Sequence, residues 1–183
     1  MNTDLEGVSP EIRDDAYFDD HTTEEFDARL LSEPLSVLPT HSPICFKGSD
    51  AVSEAMKAMQ REHRGCVLIT EDGTPRSRLT GIFTERDILL RIIDRGRHPT
   101  TITLEEVMVR DPECLPADAS VAWVLNKMSV GGFRHVPAVD EEGRPVNIVS
   151  VRDVVQFLVE AFPEAVLNLP PDGVRRYQSR DGA

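Results

Sequence analysis

Two stretches of this chain say nearly the same thing. Residues 81–87 read Gly-Ile-Phe-Thr-Glu-Arg-Asp, and residues 147–153 read Asn-Ile-Val-Ser-Val-Arg-Asp. Each joins an apolar run to a helical pattern, and each closes on Thr/Ser-x-x-Asp. Self-similarity at this scale means two copies of one structural unit, so the function is expected to belong to the pair.

The flanks repeat in the same order. In the first copy, Ile44-Cys45-Phe46 is a short strand. Ser49 or Asp50 then caps a helix with Val52, Ala55, Met56 and Met59 on one face. Cys66 to Ile69 is a buried strand, Glu71 to Arg78 a turn, and Leu79 to Phe83 the returning strand. The closing helix turns Ile88, Leu89, Ile92 and Ile93 inward and stops near Gly96. In the second copy, Cys114-Leu115 is a strand, and Asp118 or Ser120 caps a helix carrying Val121, Val124, Leu125 and Met128. His135 to Val139, the turn Asp140 to Arg144, and Val146 to Val149 follow. The last helix is lined by Val154, Val155, Phe157 and Leu158 and ends at Pro163.

Around these copies the chain is divided as 1–34, an acidic tail with a short helix; 35–98, the first unit; 99–162, the second unit; and 163–183, a Pro/Gly-rich arm. The short helix is expected over 23–31, started by the capping box Thr22-Thr23-Glu24-Glu25. The net charge of −12 is concentrated in the tail. Residues 1–34 hold 11 acidic residues and 2 arginines, whereas residues 35–162 hold 18 acids against 15 bases. Such a balance argues against sequence-independent nucleic-acid binding, which needs a basic surface, but leaves room for a small phosphorylated ligand. No apolar run approaches the roughly 20 residues a membrane helix needs, and the acidic N-terminus lacks a signal-like region, so the expected location is the cytoplasm. Cys45, Cys66 and Cys114 show no CxxC spacing and read as small buried hydrophobes.

The order strand–helix–strand–strand–helix, with Gly-Ile-Phe-Thr-Glu-Arg-Asp opening the last helix, resembles the CBS (cystathionine-β-synthase-type) domain. Asp118-Ala119-Ser120-Val121 before a helix, Arg134-His135-Val136-Pro137-Ala138-Val139 as a middle strand, and the twin Thr/Ser-x-x-Asp ends carry the resemblance over residues 35–162. It implies an α/β fold: a tandem CBS domain pair (Bateman module), two pseudo-twofold-related units of a small three-stranded sheet with two helices. The resemblance also implies two clefts, which in many members bind AMP, ADP, ATP or S-adenosylmethionine. The Asp of the motif, here Asp87 and Asp153, would accept hydrogen bonds from ribose hydroxyls, and Thr84 and Ser150 would lie near ribose or phosphate. Arg134, His135, Arg86 and Arg152 are placed to meet a phosphate.

The same residues support another reading. Thr84-x-x-Asp87 and Ser150-x-x-Asp153 are also capping boxes, an ordinary stabilising device. Copy one lacks the His-Val-Pro pattern, and Asn147 stands where copy one has Gly81, so the clefts are not equivalent. None of the five histidines forms HExxH or a metal-spaced cluster, and no GxSxG, P-loop or Rossmann fingerprint is present, so a non-enzymatic module without a cofactor is expected. Two functions compete: a ligand sensor read by an unidentified protein partner, and a ligand-free dimerising scaffold. The resemblance implies a homodimer, to which Leu90, Val155 and Leu158 would contribute.

Overall fold

The computed structural model describes residues 29–163. Its helices are α1 (Arg29–Ser32), α2 (Val52–Arg61), α3 (Glu85–Asp87, continuing as a π-helix over Ile88–Ile93), α4 (Val121–Gly131) and α5 (Val151–Ala161). Its strands are β1 (Cys45–Phe46), β2 (Cys66–Thr70), β3 (Leu79–Thr84), β4 (Val109–Arg110), β5 (Leu115–Pro116), β6 (His135–Val139) and β7 (Pro145–Ser150). Most of the helix expected over 23–31 lies outside the described residues; of that stretch, Arg29 to Leu31 are helical, in α1.

One sheet runs β1-β2-β3-β4 and the other β5-β6-β7. In both, the first pair is parallel and the second antiparallel, and the registers Cys66↔Thr84 and His135↔Ser150 match. Strand alternation divides the residues between two faces. Cys66, Leu68, Ile82 and Ile148 form the apolar contact between the sheets. Val67, Ile69 and Phe83 face the helices of the first core, and Val136, Ala138 and Val149 those of the second.

Each core is completed by the segment that leads into the other copy. Leu35 and Leu38 are buried in the second core, whereas Ile102, Leu104, Val107 and Met108 are buried in the first. The crossing segments also supply the helix starts. The Val52 N–H donates to the Ile102 carbonyl (3.1 Å), and the Val121 N–H donates to the Glu33 carbonyl (2.9 Å). This overturns the expected side-chain caps. Ser120 stands at the N-cap of α4, one of the two positions expected, and Ala51 at that of α2, but neither makes a side-chain capping bond. The first helical N–H is already satisfied by backbone from across the molecule. Asp50 instead accepts from the Lys47 N–H at 2.8 Å.

Four other expectations are corrected. The first sheet has four strands, because β4 pairs with β3 through Gly81↔Arg110 and Ile82↔Val109. A Cβ at Gly81 would sit 2.5 Å from the Met108 Sδ, so glycine permits this approach. At the matching place in copy two, the Asn147 Oδ1 accepts the His41 N–H (2.9 Å), and among the described residues the second sheet has three strands. Leu89 and Ile93 are exposed, at 59% and 64%, while Ile92 is buried. Ile102, Leu104, Val107 and Met108 of the linker join Ile92 in this core. Val155 is also exposed, because the inward stripe of α5 is Val154, Phe157 and Leu158, the i, i+3, i+4 set. Cys66 is buried as expected, but Cys114 is exposed, since the strand begins one residue later and turns Leu115 inward.

The crossing makes a direct prediction. Leu104→Ala and Leu35→Ala should each cost about 2–5 kcal/mol, as truncations of fully buried leucines do. Urea unfolding followed by circular dichroism measures this. Losses within about 0.5 kcal/mol, the surface range, would contradict the exchanged packing.

Candidate functional site

The strand-to-helix junctions β3–α3 and β7–α5 place the two Thr/Ser-x-x-Asp motifs. Both form complete capping boxes. The Asp153 Oδ2 accepts the Ser150 N–H (2.7 Å) and the Ser150 hydroxyl (2.8 Å). The Asp87 Oδ2 accepts the Thr84 N–H (2.9 Å) and hydroxyl (2.8 Å). In both motifs the hydroxyl hydrogen is directed at the carboxylate. Two further bonds tie these helix starts to the strands: Glu85 N–H to the Gly65 carbonyl (3.0 Å), and Val151 N–H to the Arg134 carbonyl (3.1 Å).

The second oxygen of each carboxylate distinguishes the copies. The Asp87 Oδ1 pairs with Arg91 Nε at 3.0 Å, one turn along the same helix. Arg91 is held again by its Nη1 donating to the Met108 carbonyl (3.3 Å). The Asp153 Oδ1 is bonded at 2.8 Å to the Nε2 of His41, a residue 112 positions away in the linker before β1. A carboxylate only accepts, so Nε2 carries the hydrogen.

Asp153 and His41 belong to a cleft of about 490 Å³ between the two copies. Copy one contributes Ser42, Ile44, His63, Arg64, Gly65, Cys66 to Leu68, and Glu85. Copy two contributes Arg134, His135, Ile148, Ser150, Arg152 and Gln156. Of the residues singled out in the sequence, the cleft therefore brings together Ser150, Asp153, Arg134, His135 and Arg152. Thr84, Asp87 and Arg86 do not line it. His41, Ser42, Ile44 and Gln156 carry no motif of their own. Only the chain crossing brings His41 to Asp153.

Charge in the cleft is uneven. Arg64, Arg134 and Arg152 make no ion pair among the described residues. Of the carboxylates that line the cleft, Asp153 is engaged by His41 and Glu62 by Arg61, and Glu85 makes no ion pair among the described residues. The imidazole of His135 fits against Gly65, where a Cβ would lie 2.8 Å from its ring. Burial pushes the His135 pKa below its ordinary value, with Glu85 and Asp153 pulling the other way and Arg134 adding to the depression. The Cys66 thiol is pushed up to about 12, mainly by burial, and is inert at neutral pH. Among the described residues, no cluster of His, Cys, Asp and Glu is arranged to hold a metal. No helix among them is long and apolar enough to cross a membrane.

The architecture matches that of known proteins. The family model for the CBS domain matches residues 35–94 and 104–160, and the chain belongs to the CBS domain family as a tandem pair. The CBS domain-containing protein CBSCBSPB5 of Arabidopsis thaliana is 29% identical over 140 residues, which are 75% of this chain but 24% of that protein. The chain thus spans about a quarter of that relative's length. Among solved structures, the CBS domain protein PAE2072 from Pyrobaculum aerophilum, complexed with AMP, superposes with a TM-score of 0.62 at 21% identity. That match covers 70% of this chain and 97% of that one. The CBS domain pair of MJ0100, in complex with 5′-methylthioadenosine and S-adenosyl-L-methionine, gives 0.60 at 26% identity, over 69% of this chain and 94% of that one.

The depressed pKa of His135 sets a pH dependence. The unfolded state takes up a proton near the ordinary imidazole value of 6.5, whereas the folded state resists it. The contribution of His135 to stability is therefore full above that value and is lost as pH falls below it. Thermal melts between about pH 8 and pH 5 should show wild type losing stability faster than His135→Gln on the acid side. Parallel losses would contradict this account of His135.

Proposed function

We propose that this chain is a regulatory CBS pair that senses an adenosine-containing ligand in the Ser150–Asp153 cleft and signals its occupancy to a protein partner. The observation that carries the reading is the composition of the cleft. On a chain of net charge −12, Arg64, Arg134 and Arg152, which make no ion pair among the described residues, converge on one concavity beside a buried carboxylate. Arginines there suit a phosphate, and a carboxylate suits the vicinal hydroxyls of a ribose. The bound AMP of PAE2072 and the bound S-adenosylmethionine of MJ0100 support the same ligand class. Binding at a seam between two copies can alter their relative packing, which a partner can read.

A second reading, a dimerising scaffold, is favoured by the apolar face of Leu89, Leu90 and Ile93, all exposed. In the sensor reading this face and Val155 contribute to a homodimer through which the signal passes.

Equilibrium dialysis against AMP, ADP, ATP and S-adenosylmethionine tests the proposal. At least one should bind, and Asp153→Ala should weaken it roughly ten- to a hundredfold, the equivalent of losing about 1.5–3 kcal/mol of hydrogen bonding to a charged group. Absence of binding by all four would leave the scaffold reading in its place.

A further inference from the structure

The two motifs share their capping geometry but differ in what guards the free oxygen of the aspartate. We infer that His41 is a displaceable guard of the ribose-facing oxygen of Asp153, and that it makes the Ser150–Asp153 cleft the one ligand site of this chain. The inference rests on the adenosine-ligand reading above and assigns that site its selectivity.

A carboxylate offers about four acceptor positions. At Asp153, two on Oδ2 are filled by Ser150, and Oδ1 is taken by His41. Asp153 is only 2% exposed, so a ribose reaches Oδ1 by moving the imidazole aside. That movement is local. The His41 backbone is held by its N–H on the Asn147 Oδ1, while the side chain itself is 31% exposed at the cleft. Turning the ring out gives up one hydrogen bond, and two ribose hydroxyls replace it.

Copy one is built differently. Asp87 is held by a guanidinium from its own helix, and that guanidinium is anchored again on the Met108 carbonyl. Arginine is charged at all relevant pH values, so displacing it strips a buried carboxylate of its counter-charge. Neutral hydroxyls do not restore that charge. The same aspartate motif is thus open to exchange in one copy and locked in the other.

Isothermal titration of wild type, His41→Ala and Asp87→Ala with AMP, and in parallel with ATP and S-adenosylmethionine, tests this. The expected result is one site per chain and two- to tenfold tighter binding for His41→Ala, roughly the worth of one displaced hydrogen bond. Asp87→Ala should leave the affinity unchanged. Because His41→Ala could also loosen the linker, the imidazole signals of the wild-type protein supply a second readout. The His41 signal, assigned with His41→Asn, should shift on saturation with the tightest of the three ligands. Binding at two equal sites, unchanged or weaker binding by His41→Ala with wild-type melting, or an unmoved His41 signal overturns the inference alone. No binding by wild type and His41→Ala overturns the reading of the cleft itself and the inference with it.

Discussion

The exchange of leading segments between the two cores is the constraint on which the rest of this structure depends. Leu35 and Leu38 anchor the chain in the second core before it returns to form β1 of the first sheet. Between anchor and strand it must cross the seam, and His41, Ser42 and Ile44 line the cleft on that crossing. Leu104, Val107 and Met108 do the reciprocal service for the first core. Neither core is complete without residues from the other's leading segment. The copies therefore hold each other in register, and the sheet contact through Cys66, Leu68, Ile82 and Ile148 is fixed by the same exchange.

On that frame, small differences decide the chemistry. Two buried aspartates carry identical caps, yet one is neutralised by a guanidinium in its own helix and the other meets an imidazole that arrives from the linker. The difference at Gly81 and Asn147 works in the same direction. Glycine lets β4 join the first sheet close to Met108, whose carbonyl steadies Arg91. At the matching position of the second sheet, the asparagine carboxamide holds the His41 backbone. Each substitution between the copies thus reaches the carboxylate through one intermediate contact.

The sequence made the doubling plain because its signal is local: Thr84 to Asp87 and Ser150 to Asp153 each span one helical turn. The apolar run Cys66 to Ile69 likewise read as a buried strand, though its division between two faces came only with the fold. What it hid was anything set by the crossing. Side-chain caps were expected from Ser49 or Asp50 and from Asp118 or Ser120 because such residues usually cap, but the first helical N–H groups are met by the backbone carbonyls of Ile102 and Glu33. Leu89 and Ile93 fit a helical stripe yet lie outside, while Ile102, Leu104, Val107 and Met108 from the linker join Ile92 in the core. His41 has no neighbouring motif, and its partner is 112 positions away. Periodicity reads neighbours along the chain, and these contacts are not neighbours along the chain.

The most direct test of the account is a crystal structure determined with AMP or ATP at saturating concentration. The account predicts a single nucleotide per chain in the seam, its ribose hydroxyls on Asp153, its phosphates toward Arg64, Arg134 or Arg152, and the His41 ring turned away from the carboxylate. A nucleotide seated at Asp87, or one bound elsewhere with the His41–Asp153 bond intact, would contradict it.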